Sequence, residues 1–236
     1  MGKNPLQLAI EKYLDGVSEV RAHCDRCLGT ARWGGSVVLM VVDAAFTSIG
    51  LNYFFVVVPK VDEFERLFVK TGKITSLEDL IDAELIELQR VWKNKRSWMV
   101  AKAIAAYVSS LRRKEKISEG EALTLWAKNT HQQRWRKDPL GSITGVGINT
   151  YQYLRMMGGV DTLMPDKIVR KALLGVLEEV GLKPKAMDDL EFIEFVHEIA
   201  TKTGHRPIEL CWATWLHESE KELMKTEKYA EVINRI

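Results

Sequence analysis

Two glycines flanking one apolar residue, Gly145-Val146-Gly147, form the first pattern in the sequence with clear chemical potential. Glycine tolerates the positive φ that a tight chain reversal needs. Without side chains at these positions, an anion can approach the backbone N–H groups, and a helix beginning at Ile148 would add its first-turn donors and positive dipole end. The pattern predicts a turn that binds phosphate without reading bases. An ordinary connection between two helices is the alternative.

The residues around this turn predict a pair of short helices over 138–157. Asp138-Pro139 is typical of a helix start, with an N-cap followed by a first-turn proline. The first helix is predicted to end near Ile143 and the second to span Ile148–Met157. Val146 would point inward between them as a plug, so that the glycine amides face outward.

Asp166 is the acidic residue best placed to do chemistry next to such a turn. It follows Pro165 at a predicted helix start, so it can serve as an N-cap. A carboxylate held in a water-poor cleft can also stabilise developing positive charge or activate water. The sequence leaves both roles open, and they can coexist.

The order of these features resembles the helix-hairpin-helix superfamily of DNA glycosylases. The similarity extends over about 36–220, but only 140–170 is specific. The matching segments are Ile143-Thr-Gly-Val-Gly-Ile-Asn-Thr150, Met157-Gly-Gly-Val-Asp161 and Met164-Pro-Asp166-Lys-Ile-Val-Arg170, with weaker similarity in Val41–Ser48 and Leu210–His217.

The resemblance implies an all-α, two-lobed fold with the hairpin at the cleft between the lobes. One lobe, similar to a six-helix barrel, would comprise residues 36–138 and carry the hairpin at 138–157. The second lobe would be built from residues 1–35 and 158–236. Such a protein flips a damaged or mispaired base out of duplex DNA and hydrolyses its N-glycosidic bond, as a step of base-excision repair.

The resemblance also assigns roles to individual residues. Asp166 matches the catalytic aspartate, and the DNA-binding positions of the hairpin are Gly145, Val146, Gly147, Asn149 and Thr150. Members that nick the strand carry a lysine where this chain has Asn149. An amide cannot form a Schiff base with the sugar, so a monofunctional glycosylase without lyase activity is expected. A non-catalytic helix-hairpin-helix DNA-binding protein is the alternative, and a helical scaffold without a nucleic-acid partner is a third.

The base pocket is predicted to involve Asp43, Phe46 and Tyr53. Asp43 interrupts an apolar helix, where it would either cap a neighbouring loop or face the pocket and read a base edge. Both possibilities stay open. Core packing is the expected role of the seven tryptophans.

Composition and periodicity predict helices throughout, with 46% hydrophobic residues, 28% charged residues and six prolines. Residues 5–28 are predicted to form one helix, Pro59 to end the apolar segment 36–58, and a further helix to occupy 61–71. The pairs Thr75/Glu78 and Ser76/Asp79 predict a helix start, and that helix is expected to reach about Trp92.

The three cysteines are too few for a disulfide scaffold, a zinc site or an iron–sulfur cluster. No metal or other cofactor is therefore expected, apart from a monovalent cation at the hairpin that the resemblance implies. The run from Ser36 to Pro59 lacks Lys and Arg, but Asp43 favours a buried helix over a membrane span. A cytoplasmic monomer, associated with the nucleoid in a prokaryote, is predicted.

The net charge is only +2, but its distribution is uneven. Between Arg90 and Lys137 there are 13 basic residues against three acidic ones, a local excess of ten. A basic stretch that runs into the glycine turn favours a polyanionic partner. The glycosylase resemblance implies that this partner is double-stranded DNA containing a damaged or mismatched base.

Overall fold

The computed structural model describes residues 4–16, 20–223 and 235–236, with only the backbone for 218–223. Within these ranges the chain forms helices and turns and contains no β-strand, which confirms the all-α prediction. The α-helices are α1 Pro5–Asp15, α2 Val20–Leu28, α3 Val37–Thr47, α4 Val58–Phe64, α5 Leu77–Asp82, α6 Leu85–Leu88, α7 Lys95–Glu115, α8 Glu119–Lys128, α9 Ile148–Met157, α10 Lys167–Glu179, α11 Asp189–Thr203 and α12 Pro207–Leu223.

Local capping signals in the sequence set several helix starts. Ser76 and Asp79 form a reciprocal capping box at α5, and Ser118 and Glu121 form another at α8. Each box satisfies backbone N–H groups that have no partner inside the helix. The predicted helix from Thr75 to Trp92 is wrong in extent, since the chain leaves α5 at Ala83 and continues as the short helix α6.

The prediction of one helix over 5–28 is also wrong, because α1 ends at Asp15 with Gly16 as its C-cap; residues 17–19 lie outside the described residues, and Val20–Leu28 forms α2. A tertiary contact accounts for glycine at this position. A Cβ built on Gly16 would lie 2.9 Å from Cε1 of His217 on α12. Periodicity within one segment does not reveal this close approach.

Pro59 does not end the apolar segment, contrary to the prediction. It occupies the first turn of α4, where its missing N–H costs no helical hydrogen bond. Single π-helical turns at Tyr53–Val57 and Glu65–Val69 flank α4. Residues 53–69 therefore form one continuous helical segment. The predicted helix over 61–71 is therefore the second half of this run.

Helix α3 lies at the centre of the molecule, with every residue from Val37 to Phe46 buried. It contacts α7 on one side and α9 on another. Helices α3 to α8 pack mainly on one another. Helices α1, α10, α11 and α12 form a second group, and α12 also contacts α2. Helix α9 touches α2, α3 and α8. The buried hydrophobic residues nevertheless form one continuous core.

No helix in the described ranges combines the length and apolar character that a bilayer crossing needs. In α3 the buried Asp43 forms an ion pair with Arg32. The run from Ser36 to Pro59 thus contains the predicted buried helix, α3, whereas the helical segment that begins at Tyr53 was not predicted.

Candidate active site and nucleic-acid interface

The glycine turn forms at the predicted position, but the first helix of the predicted hairpin does not. Residues 139–142 make only turns, held by the Asp138 carboxylate, which accepts hydrogen bonds from the amides of Leu140 at 2.9 Å and Gly141 at 3.4 Å. A 3₁₀ turn, Gln132–Lys137, precedes them. Indole Nε1 of Trp126 also donates to Asp138, so its carboxylate anchors the turn to α8.

The second half of the hairpin matches the prediction closely. Gly145 has φ +102°, in the region that glycine occupies without strain, and a Cβ there would lie 2.7 Å from Val100 of α7. Val146 is buried and its amide donates to the carbonyl of Ile143 at 2.9 Å. Gly147 is the N-cap of α9; no side chain caps this helix, and a Cβ on Gly147 would meet open space.

This geometry leaves the start of α9 with the uncapped donors that an anion-binding site requires. The first-turn amides of a helix have no partner within it, and here no capping side chain covers them. Thr150 is only 2% exposed, so its hydroxyl does not reach the surface. Asn149 is half-buried, and its Oδ1 has no hydrogen-bond partner in the described part of the protein.

Only part of the basic stretch lies near the turn. The Arg96 guanidinium, close to Gly145, is exposed, as are Lys93 and Lys95 at the start of α7. Arg112 lies about 24 Å further along α7 and binds Glu78 at 2.7 Å. Lys102 donates to backbone carbonyls of residues 81 and 83.

A second basic group immediately precedes the hairpin. Arg134, Arg136 and Lys137 are exposed on the 3₁₀ turn, where Arg136 stacks on the half-buried Trp135. With the start of α7, this turn gives the hairpin positive charge from two elements. Arg90, Lys102, Arg112 and Lys114 make other contacts, so the stretch is not one continuous face.

Asp166 is the N-cap of α10, in accordance with the sequence. Its Oδ1 accepts from the amides of Ile168 and Val169, both at 2.8 Å. Its Oδ2 accepts from indole Nε1 of Trp215 at 2.9 Å. One carboxylate oxygen therefore holds the helix start, and the other is directed towards α12.

Burial raises the pKa of Asp166, and hydrogen bonds from Val169, Trp215 and Ile168 oppose that rise. The desolvation effect is the larger one, because the half-buried carboxylate loses hydration without gaining a nearby cation. Such a carboxylate is a candidate functional group, since structural caps at the surface have no comparable desolvation.

Trp215, the hydrogen-bond donor to Asp166, lies on the wall of an aromatic cleft. We call it the aromatic cleft, and its lining consists of Thr47, Tyr53, Tyr153, Met164, Trp212 and Trp215. In this structure it is closed, with no space for a water-sized sphere. Tyr153 lies on α9 five residues after Ile148, or about 8 Å along the helix axis. The cleft thus connects the hairpin's helix with Trp215, the hydrogen-bond donor to Asp166.

Beneath the cleft lies a buried ion pair that the sequence did not reveal. The Asp43 carboxylate accepts from Trp33 at 2.7 Å, Tyr153 at 2.8 Å, Tyr53 at 2.9 Å and Arg32 at 3.4 Å. All five residues are at most 3% exposed. Burial raises the pKa of Tyr53 and Tyr153, so both hydroxyls keep their protons for donation.

This network orients the cleft walls from behind. The guanidinium of Arg32 also stacks on Trp212, 4.6 Å from the ring centroid. Asp43 itself does not line the cleft, and its carboxylate accepts from these four donors and, at 3.5 Å, from the Thr47 hydroxyl. It therefore positions tyrosines that do line the cleft.

The three predicted pocket residues consequently occupy different places. Tyr53 lines the cleft, and Asp43 lies beneath it. Phe46 is fully buried in the core, stacked on Trp92 with ring centroids 4.6 Å apart, and packed against the edge of Trp98. Tyr153, Trp212 and Trp215 were missed as cleft residues, because helical spacing does not distinguish a cleft wall from a core position.

A short loop on the rim of the cleft carries two exposed apolar side chains. Ile49 and Leu51 are 37% and 41% exposed, on either side of Gly50, which has φ +69°. The loop connects Thr47 with Tyr53, both of which line the cleft. Its only sequence signal is the glycine that allows the bend.

The three cysteines are buried and unbridged. Burial raises the pKa of all three thiols, which disfavours the thiolate that binds metals. No group of three metal-ligating side chains occurs among the described residues. The monovalent cation at the hairpin stays a prediction, for which the Asn149 Oδ1 and the turn carbonyls supply acceptors of suitable chemistry.

The fold and site together define an all-α protein with a helix-capping aspartate at an aromatic cleft. The chain belongs to the family described as a domain of unknown function (DUF8548), whose model matches residues 11–219. No curated protein and no solved structure matches the chain.

Proposed function

We propose that this protein is a monofunctional DNA glycosylase that removes a damaged or mispaired base from duplex DNA. The observation that carries the proposal is the position of Asp166, whose desolvated carboxylate is hydrogen-bonded to Trp215 at the aromatic cleft. The helix-hairpin-helix resemblance of 140–170 supports the same assignment. The two-lobed glycosylase fold, with a lobe boundary near the hairpin, is part of this proposal.

The hairpin would hold the strand by its phosphates. The uncapped start of α9 supplies backbone donors, and Arg96 adds a nearby cation. Such contacts place the duplex without reading its sequence. Base recognition would then fall to the aromatic cleft, into which a base must be rotated.

The cleft would have to open to admit a base, because in this structure it is closed. Trp215 is half-buried and lies on its wall, so a change in its side chain could widen the entrance. Ile49 and Leu51 on the rim could fill the gap that the departing base leaves in the stack, as apolar wedges do in other DNA complexes.

In the proposed reaction, a water oxygen forms a bond to C1′ of the flipped nucleotide as the C1′–N bond breaks. The bonding electrons leave with the base, which takes up a proton, and the water proton is released. The Asp166 carboxylate would stabilise the oxocarbenium-like sugar and orient or deprotonate the water. The products are a free base and an abasic site.

A panel of duplexes with alkylated, oxidised, deaminated and mismatched bases tests this proposal. The expected result is an alkali-labile site at the lesion in at least one duplex. Salt-dependent DNA binding without base release from any duplex would favour the second candidate, a non-catalytic DNA-binding protein. Asn149 in place of the lyase lysine is the observation that favours this candidate. Either protein would act as a monomer in the cytoplasm, associated with the nucleoid if the cell is a prokaryote.

We predict no strand cleavage before alkali treatment and no adduct after borohydride reduction of the reaction mixture. The reason is that Asn149 offers no amine for a Schiff base with the abasic sugar. Denaturing gels with and without alkali measure the first outcome, and protein gels the second. A borohydride-trapped adduct that persists in Lys167→Gln would contradict the monofunctional assignment and exclude the neighbouring lysine as its source.

Gly147→Ala is predicted to weaken binding of duplex DNA about tenfold, the effect of losing roughly 1.4 kcal/mol of backbone contact. A methyl group there would occupy space that the strand needs, but it meets no protein atom within 4 Å. The melting temperature should therefore stay close to that of the wild type. Fluorescence anisotropy with a labelled duplex measures the affinity.

Gly145→Ala is the matched comparison for this variant. It should lower the melting temperature, since its φ is +102° and its Cβ would collide with Val100. Unchanged DNA affinity in Gly147→Ala would contradict a strand contact at this turn.

A further inference from the structure

A groove of about 520 Å³ leads away from the Asp166 region, between α1, α10 and α12. We call it the α10 groove. Lys167, the residue immediately after Asp166, lies at its beginning, and Glu179 lies at its other end. Tyr13 and His217 form part of the wall opposite α10. The groove thus starts where the proposed catalytic residue lies.

Two lysines provide the positive charge of the α10 groove. Lys167 and Lys171 are both exposed groove residues, one helical turn or about 6 Å apart along α10. Their i,i+4 spacing places them on one face. Between them in sequence, Ile168 is 45% exposed and also lines the groove.

Charge and surface chemistry together fit the backbone of a nucleic-acid strand. Each lysine can approach a phosphate as a point charge, and the apolar Ile168 can contact a deoxyribose. Arg170, on the same helix, is instead paired with Asp189 at 2.8 Å and stacked on Phe192. Arg170 is therefore held by two residues of α11, whereas Lys167 and Lys171 are exposed at the groove.

We propose that the α10 groove carries the sugar-phosphate backbone of the damaged strand beyond the flipped nucleotide, with Lys167 and Lys171 as phosphate ligands. The inference rests on the proposed function, because it routes the strand past Asp166. The hairpin would hold the strand on one side of the flipped nucleotide and the groove on the other. The strand would leave the groove before Glu179, whose carboxylate repels phosphate.

The salt dependence of DNA affinity tests this inference without requiring catalysis. Affinity for a duplex containing a tetrahydrofuran abasic analogue is measured over a series of salt concentrations. Each phosphate contact contributes about 0.9 to the slope of log affinity against log salt. The variant Lys167→Gln/Lys171→Gln should therefore have a slope shallower by about 1.8 than the wild type.

Lys183→Gln/Lys185→Gln is the matched control, since it removes two exposed lysines from the segment after α10. Its slope should stay closer to the wild-type value. Equal slopes for the two double variants, with unchanged melting temperatures, would overturn the α10 groove as a strand site while leaving the proposed function intact. Absence of salt-dependent duplex binding by the wild type would overturn the proposed function itself, and the groove assignment with it.

Discussion

Replacing Asp166 with asparagine is expected to reduce base release on the order of 10²–10⁴-fold while DNA binding is retained. The amide cannot stabilise positive charge on the sugar or take a proton from water. Its Oδ1 can still accept from the amides of Ile168 and Val169, because asparagine is as good an N-cap as aspartate. Single-turnover rates on the substrate duplex measure the loss.

Asp188→Asn is the matched control for this experiment. Asp188 caps α11 in the same way, with its Oδ1 accepting from Leu190 at 2.8 Å and Glu191 at 2.9 Å. It is exposed and is not among the cleft residues. Equal activity losses in both variants would indicate that Asp166 acts only as a cap.

The pH dependence gives a second readout of the same prediction. Because burial raises the pKa of Asp166 from 3.8, protonation should reduce the wild-type rate at a pH above 3.8. Asp166→Asn should lose this acid limb. A folded-state pKa above the unfolded value also means that ionising Asp166 costs stability as pH rises through the folded pKa. In Asp166→Asn, removal of this charge should therefore compensate for part of the stability that is lost with the hydrogen bond from Trp215.

Asp43→Asn is expected to lower the free energy of unfolding by about 3–5 kcal/mol. The substitution leaves the guanidinium of Arg32 buried without the carboxylate of Asp43 as its partner. The side chains of Arg32 and Asp43 are both 0% exposed. Two guanidinium nitrogens of Arg32, Nε and Nη1, have no hydrogen-bond partner in the described part of the chain. Loss of the Asp43 charge would therefore leave the cation poorly compensated. Urea unfolding followed by circular dichroism measures the change.

Two further variants separate the ion pair from its individual hydrogen bonds. Tyr153→Phe removes one hydroxyl donor to Asp43 and should cost about 1 kcal/mol. Arg32→Met/Asp43→Leu removes both charges and should lose less stability than the two single variants combined. Additive losses would contradict a coupled buried pair.

The parts of the fold that local chemistry determines could be predicted from the sequence. Gly147 and Asp166 lie at the starts of α9 and α10, and Ser76 at that of α5, because N-cap preference depends on a few adjacent residues. Val146 is buried as predicted, since the tight turn directs its side chain towards the protein interior. These positions account for the hairpin and the capping aspartate of the candidate site.

The remaining features depend on contacts between residues distant in sequence. Arg32 and Asp43 pair across a turn in which Trp33 has φ +54°, and Tyr153 joins them from 110 residues away. The sequence of any one segment does not predict this long-range contact. The first hairpin helix was predicted from Asp138-Pro139, but the Asp138 carboxylate bonds to Trp126 and stabilises turns instead.

A crystal structure of the protein bound to a duplex with a tetrahydrofuran abasic analogue tests the central claim most directly. Strand phosphates are expected on the amides of Gly147 and the start of α9, with the analogue's C1′ facing the carboxylate of Asp166 and the opened aromatic cleft. DNA bound on another face, or an analogue that remains stacked far from Asp166, would contradict it.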